Sequence, residues 1–167
     1  MAKIPNSVLI EKLQSKFPLA IYGTDETSDM LNVVADPTYN VEILQYLFSE
    51  PSLKFQFLTA LCGIHYPGTE KELGVICHLH SLETNTRMRL KFFLPIQNPV
   101  IRTATTVFMT ANWMERETYD FYGILFEGHP NLKRILNVDE MEAFPMRKEF
   151  PLEDPNRLDK QDKYFGR

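Results

Sequence analysis

The sequence predicts an α+β fold, with helices packed on one face of a largely antiparallel sheet and an extended C-terminal tail. Three observations lead there. Met88, Leu90, Phe92 and Leu94 alternate with Arg87, Arg89, Lys91 and Phe93, the period-two pattern of a strand with one buried face. Two N-terminal stretches, around Leu9 and Leu44, instead repeat apolar residues at helical spacing. From Phe144 onward aliphatic residues thin out and prolines and charges of both signs take over.

In chain order, Asn6 or Ser7 is placed to cap a first helix whose Leu9, Leu13 and Phe17 recur every four residues, and Pro18 stops it. Leu19 to Tyr22 and Met30 to Val34 read as a short hairpin separated by a polar loop, Gly23 to Asp29. Asn40 to Ser49 sets Val41, Leu44, Leu47 and Phe48 on a second helix, ended before Pro51. Lys54 to Tyr66 and Leu73 to Leu82 are rich in β-branched, aromatic and aliphatic residues and read as strands. Glu83 to Thr86 turns the second of these into the alternating strand, giving a long antiparallel hairpin. Pro95 and Pro99 end the sheet region, and a helix runs from about Ala111 to Tyr122, closed by Gly123. The expected organisation is one globular domain over 1–143 and an extended tail over 144–167 that orders by lying on another surface.

A chain of 167 residues is enough for one core. Its 44% hydrophobic and 24% charged content is that of a globular protein, and its net charge of -4 argues against bare nucleic acid as a partner, because phosphate binding rests on basic excess. The N-terminus becomes amphipathic within a dozen residues, so no secretory leader is expected. The strongly apolar run around Phe57 to Cys62 is far shorter than the roughly 20 residues of a membrane helix, and any membrane association is expected to be indirect. Cys62 and Cys77 suggest two reduced, mostly buried thiols, not a disulfide framework.

The densest chemistry lies in residues 115–136. On a helix, Trp113, Glu117, Asp120, Phe121 and Ile124 fall on one face, placing two carboxylates on an apolar stripe. One reading is an acid/base or metal-binding pair, because neighbouring buried acids shift each other's proton affinity. In that reading Glu117, Asp120 and His129 serve a metal-dependent enzyme. The other is structural, with Arg116, Lys133, Arg134 or His129 neutralising the acids at a packed junction, and the absence of a histidine on the helix favours it. Cys62, His65, Cys77, His78 and His80 are a second candidate ligand set, but strand alternation sends Cys77 and His78 to opposite faces. A solvent-facing His78 and His80 pair beside buried cysteines is the expectation. The basic row of Arg87, Arg89 and Lys91 lacks the exposed aromatic pair on which RNA bases stack.

These residues resemble the 30-kDa, or C-type, subunit family of respiratory NADH:quinone oxidoreductase, complex I. The resemblance rests on Glu115, Arg116, Glu117 and Asp120, on Gly123 and Ile124, on Phe126, Gly128, His129 and Pro130, and on Leu132, Lys133, Arg134, Ile135 and Leu136. It extends upstream to Leu94-Pro95, Pro99-Val100 and Ala111-Asn112-Trp113, and downstream to Pro145-Met146-Arg147-Lys148 and Phe150-Pro151. Between Asp139 and Phe144 the chain departs from the family pattern, lacking its tyrosine-glycine-phenylalanine loop and second Gly-His-Pro.

The resemblance implies a peripheral-arm subunit without a catalytic, cofactor or metal site of its own. Flavin mononucleotide, iron-sulfur clusters and quinone would sit in partner subunits, which carry electrons from NADH to quinone and couple this to proton translocation. The expected partners are the large quinone-site (D-type) subunit and the iron-sulfur (B-type and I-type) subunits, on the cytoplasmic side of a bacterial inner membrane. Related subunits of hydrogenase-, ferredoxin- or F420-linked complexes are the alternative. Glu115, Arg116, Glu117, Asp120, His129, Lys133 and Arg134 are expected to hold the docking surface together through buried ion pairs.

Overall fold

The computed structural model describes residues 3–150. Helix α1 spans Asn6–Lys16, β1 Ile21–Thr27, β2 Met30–Ala35, α2 Asn40–Ser49, β3 Phe57–His65, β4 Leu73–Ser81, β5 Thr86–Leu94, β6 Val100–Arg102, α3 Ala111–Tyr122 and β7 Leu125–Glu127. Strands β1 to β5 form one sheet in the order β1-β2-β5-β4-β3, and β6 and β7 form a small second one. The predicted fold class holds.

Strands β3, β4 and β5 make two consecutive antiparallel hairpins, with Leu61 opposite Cys77 and Cys77 opposite Leu90. Their inward residues line up with Leu31, Val33 and Ala35 of β2 to form one apolar face. Leu9 and Leu13 of α1 and Ile43, Leu44 and Leu47 of α2 join the same buried cluster. Each such side chain contributes roughly 1.5–3 kcal/mol relative to exposure, so this face fixes the register of the whole sheet.

Several local expectations are corrected. Asn6 and Ser7 do not cap α1; the cap is Pro5, at φ -61 and ψ 140, and its carbonyl accepts from Val8 and Leu9. Proline needs no amide donor there and already holds the required φ. The segment Gly23 to Asp29 is not a loop, because β1 runs through Thr27 and pairs with β2 up to Met30. It looked like a loop because it lies on a sheet edge: six of the seven residues of β1 are exposed, so no alternation marks it. The turn is Ser28-Asp29, both left-handed at φ 54 and 57, the geometry that a two-residue hairpin turn requires.

Two parallel pairings were also not foreseen. Strand β2 pairs parallel with β5, Leu31 opposite Met88 and Ala35 opposite Phe92, because the chain leaves β2 through α2 and returns to the sheet at its far edge. Strands β6 and β7 pair parallel, Val100 with Leu125 and Arg102 with Glu127. Helix α3 is therefore the crossover of a small β-α-β unit. This unit carries the charged segment.

Among the described residues, no helix is long and apolar enough to cross a membrane. The basic row of β5 is answered locally: Arg89 Nη1 donates to Asn32 Oδ1 at 3.3 Å, and Lys91 lies 3.8 Å from Asp25.

Candidate functional site

Helix α3 ends where Gly123 turns left-handed at φ 71 and donates its amide to Tyr119 O at 2.8 Å. Only glycine does this without strain. A second constraint acts at the same position, since a Cβ on Gly123 would stand 2.6 Å from the Phe144 ring and 2.8 Å from Arg147 Nη2.

The carboxylate pair predicted for one helix face is corrected. Glu117 is exposed, as is Trp113 at 63%, whereas Glu115 and Asp120 are fully buried. Five helical positions turn about 140°, so Glu115 and Asp120 point to different sides and do not form an acid/base pair. The periodicity misled because α3 is covered on two sides, with Ala111, Glu115 and Thr118 in one row and Asp120 under the loop that follows β7.

Glu115 ties the helix to the end of β6. Thr103 Oγ1 donates to Glu115 Oε2 at 2.6 Å, and the Ala104 amide to Oε1 at 2.6 Å. No guanidinium or ammonium lies within ion-pair distance of this acid among the described residues; the nearest basic nitrogen is His129 Nε2 at 4.0 Å. Burial pushes the Glu115 carboxyl up to about 7, with the Thr103 and Ala104 bonds pulling against it. The expectation of a buried ion pair at Glu115 is thus corrected to a neutral-donor cradle.

His129 follows Gly128, which is at φ 80, and its side chain is fully covered. Nε2 donates to Asn112 O at 3.1 Å while Nδ1 accepts from the Asn131 amide at 3.0 Å. Those two bonds assign the tautomer and use both ring nitrogens. His129 is a strut between α3 and its turn, and the exposed Pro130 fixes the backbone after it.

Asp120 sits in a cage. Its Oδ2 accepts from the amides of Ile135, Leu136 and Asn137 at 3.1, 2.8 and 2.9 Å, and its Oδ1 from Arg134 Nη1 at 2.7 Å and Asn137 Nδ2 at 3.0 Å. Burial alone would raise this carboxyl, but the Asn137 and Leu136 amides, the Asn137 side chain and Arg134 outweigh it and hold it well below the usual range. Three successive amides around one oxygen form an anion nest, here filled by the chain itself.

The arginines complete the lashing. Arg134 also donates to the carbonyls of Asp120, Met141 and Ala143 and stacks 5.3 Å from the Phe144 ring centre. Arg116 is corrected from ion pairing to carbonyl binding: Nε donates to Lys133 O and Nη2 to Arg134 O, both at 3.1 Å, with the guanidinium 5.1 Å over Trp113. Lys133 is exposed and makes no ion pair among the described residues. Arg147 Nε donates to Tyr122 O at 2.7 Å, and the Lys148 amide to His65 Nδ1 at 2.9 Å. Residues 144–150 thus lie against α3 and β3; the remainder of the predicted tail lies outside the described residues.

Residue spacing did not reveal Thr103, Ala104, Asn137 or Phe144. Backbone donors and a stacking ring carry no local sequence signal, although Arg147 lay in the stretch that carried the resemblance. The candidate ligand set also dissolves: among the described residues no three His, Cys, Asp or Glu side chains converge on one metal position. Contrary to expectation, Cys62 is exposed and His80 is 8% exposed, bonded to Asn85 at 3.2 Å. The bulge between Leu58 and Ala60 shifts β3 so that Cys62 turns away from the core.

Residues 33–156 match the family model described as respiratory-chain NADH dehydrogenase, 30 Kd subunit. This chain belongs to that family. It is 38% identical over 149 residues to the NADH-quinone oxidoreductase C-type subunit of Roseiflexus sp. (strain RS-1), covering 89% of this chain and 86% of that one. To the corresponding NADH-quinone oxidoreductase subunit of Methylobacterium sp. (strain 4-46) it is 46% identical over 124 residues, covering 74% of this chain and 57% of the longer relative. A trypsin-resistant fragment of Nqo5 superposes with a TM-score of 0.65 at 26% identity, covering 76% of this chain and 98% of the fragment. A chain of an archaeal membrane-bound sulfane sulfur reductase shares the fold, with a TM-score of 0.72 at 20% identity over 88% of this chain and 86% of that one.

In this member of the 30-kDa subunit family, the buried polar groups between Glu115 and Leu136 serve packing within the chain. They fasten α3 to β6 on one side and to the segment 133–147 on the other. Beside the exposed Glu117 and Lys133, large apolar groups also face outward: Met109 is 88% exposed, Trp113 63%, Leu136 66% and Val138 67%.

Proposed function

We propose that this chain is the cofactor-free, peripheral-arm 30-kDa subunit of a proton-translocating NADH:quinone oxidoreductase, where it acts in structure and assembly. The observation that carries this is the use of the buried signature acids. Asp120 is enclosed by amides and Arg134, and Glu115 by Thr103 and Ala104, so both serve the packing of α3. Glu117 faces outward and His129 has both nitrogens engaged, so the geometry does not assemble the acid/base or metal triad of Glu117, Asp120 and His129.

In this reading flavin mononucleotide, the iron-sulfur clusters and quinone belong to partner subunits, and catalysis to the assembled enzyme. Exposed Trp113 of α3, with Met109 before the helix and Leu136 and Val138 after it, docks on the large quinone-site subunit, with the iron-sulfur subunits adjacent. Residues 144–167 extend that docking surface. The complex holds the chain at the cytoplasmic side of the bacterial inner membrane. The fold recurs in a sulfane sulfur reductase, so fold alone does not choose the electron donor; the 37% to 46% identity to C-type subunits of NADH-quinone oxidoreductases favours NADH over a ferredoxin-, F420- or hydrogenase-linked complex.

Elemental analysis and absorption spectroscopy of the purified full-length chain test the cofactor-free role. The expected result is no stoichiometric metal and no flavin or iron-sulfur band. One equivalent of metal that persists through dialysis contradicts it.

A further inference from the structure

Between the edge of β3 and α3 lies a cavity of about 200 Å³, walled by Leu61, Cys62, Gly63, Phe121 and Met146, with the carboxylate-bearing Glu117 on its rim. This volume is below the roughly 300 Å³ at which small-molecule sites begin, and matches one long side chain better than a cofactor. We infer that the cavity receives an arginine side chain from a partner subunit, its aliphatic stem along the apolar wall and its guanidinium on Glu117. This deepens the subunit reading and rests on it.

Charge accounting supports the occupant. Glu117 makes no ion pair among the described residues, although it lies within a turn of Arg116. The arginines nearby are engaged inward: Arg116 on the carbonyls of Lys133 and Arg134, Arg134 on Asp120, and Arg147 on Tyr122 O and the Phe144 ring. Among the described residues, an anionic rim over an apolar slot is thus left without a cation. Arginine meets both demands, since its stem packs on apolar surface while its planar fork binds a carboxylate in two bonds and sheds water more readily than an ammonium does. The slot continues into exposed apolar surface at Met146, 51% exposed, which supplies the dry surroundings of an interface anchor.

The slot has a built-in reporter. Cys62 lines it and is exposed, its thiol pushed up by partial burial and by Glu117, whereas Cys77 is buried and its thiol is pushed up further by that burial and by nearby Glu115. Maleimide labelling at Cys62, with Cys62→Ser as the assignment control, is compared between the full-length chain alone and the complex purified from the host. The expected result is labelling of the isolated chain and at least tenfold slower labelling in the complex. Glu117→Lys should weaken association at least tenfold, Glu117→Gln several-fold with reduced salt dependence, and both variants should melt like the unaltered chain.

Equal labelling of Cys62 in the complex overturns the inference while leaving the subunit reading intact. Protection already in the isolated chain also overturns it, because the chain's own segment 151–167, which holds Arg157, Lys160, Lys163 and Arg167, is then the occupant. Unimpaired association of Glu117→Lys, or tighter association of Glu117→Gln, overturns it in favour of an apolar occupant. Failure of the unaltered chain to join any complex is a different result and contradicts the subunit reading itself.

Discussion

Arg134 Nη1 stands 2.7 Å from Asp120 Oδ1, and this buried bond closes a carboxylate cage whose other walls are the backbone amides of residues 135–137. A loop whose Leu136 and Val138 are largely exposed is thereby fastened to α3 through polar groups. The anchor is a charge in a nest, so both partners matter for more than their own bond.

Asp120→Asn keeps the shape but sets an NH2 among donors. The variant is expected to lose about 3–5 kcal/mol, the usual cost of breaking a buried pair by changing one partner. Urea unfolding at neutral pH reads this directly. The pH dependence has a definite sign: the folded chain holds Asp120 below its ordinary 3.8, so its contribution is complete above that value and declines as pH falls past it. The Asn variant should lack this acid-side loss.

Glu115 has the opposite sign. Its folded value of about 7 lies above its ordinary 4.5, so its contribution is present below pH 4.5 and is lost as pH rises through 7. The difference corresponds to about 3 kcal/mol between pH 4.5 and pH 8. Glu115→Gln retains an acceptor for Thr103 or Ala104 and cannot ionise. It should flatten the dependence of the urea midpoint between pH 5 and pH 8, and an unchanged slope contradicts the assignment.

Gly123→Ala combines a left-handed backbone, roughly 1–2 kcal/mol for a residue with a Cβ, with a collision against Phe144 and Arg147. The segment after Phe144 should lift from α3. Limited trypsin digestion after Arg147 and Lys148 is then expected to accelerate more than the loss of global stability explains.

Arg116→Ala removes two charge-assisted bonds to loop carbonyls and the stacking on Trp113. Hydrogen bonds to charged groups contribute about 1.5–3 kcal/mol each. The expected phenotype is poor folding or assembly, with normal spectra of the redox centres in any complex that forms. Full assembly with selectively lost electron transfer contradicts it.

The sheet hairpins, α2 and α3 were legible because each carries its own period or stop signal: Met88 to Leu94 alternate, and Gly123 closes a helix. The hairpin of β1 and β2 was expected, but the extent of β1 was not, since an edge strand exposed on both sides has no buried row to betray it. Among the candidate residues, the sequence left the partner of Asp120 open among Arg116, Lys133, Arg134 and His129, and it is Arg134 that stands beside it. The burial of Glu115 in place of Glu117 was hidden because α3 is covered from two directions by segments distant in sequence. Asp120's amide donors were illegible for a simpler reason: any residue type supplies a backbone N–H.

The central claim, that this chain works as a docked component of a larger enzyme, is tested most directly by affinity purification of the tagged full-length chain from its native host in mild detergent, followed by mass spectrometry. The account predicts stoichiometric recovery of the quinone-site subunit together with the iron-sulfur and flavin subunits of an NADH:quinone oxidoreductase. Recovery of the chain free of quinone-reductase subunits contradicts it.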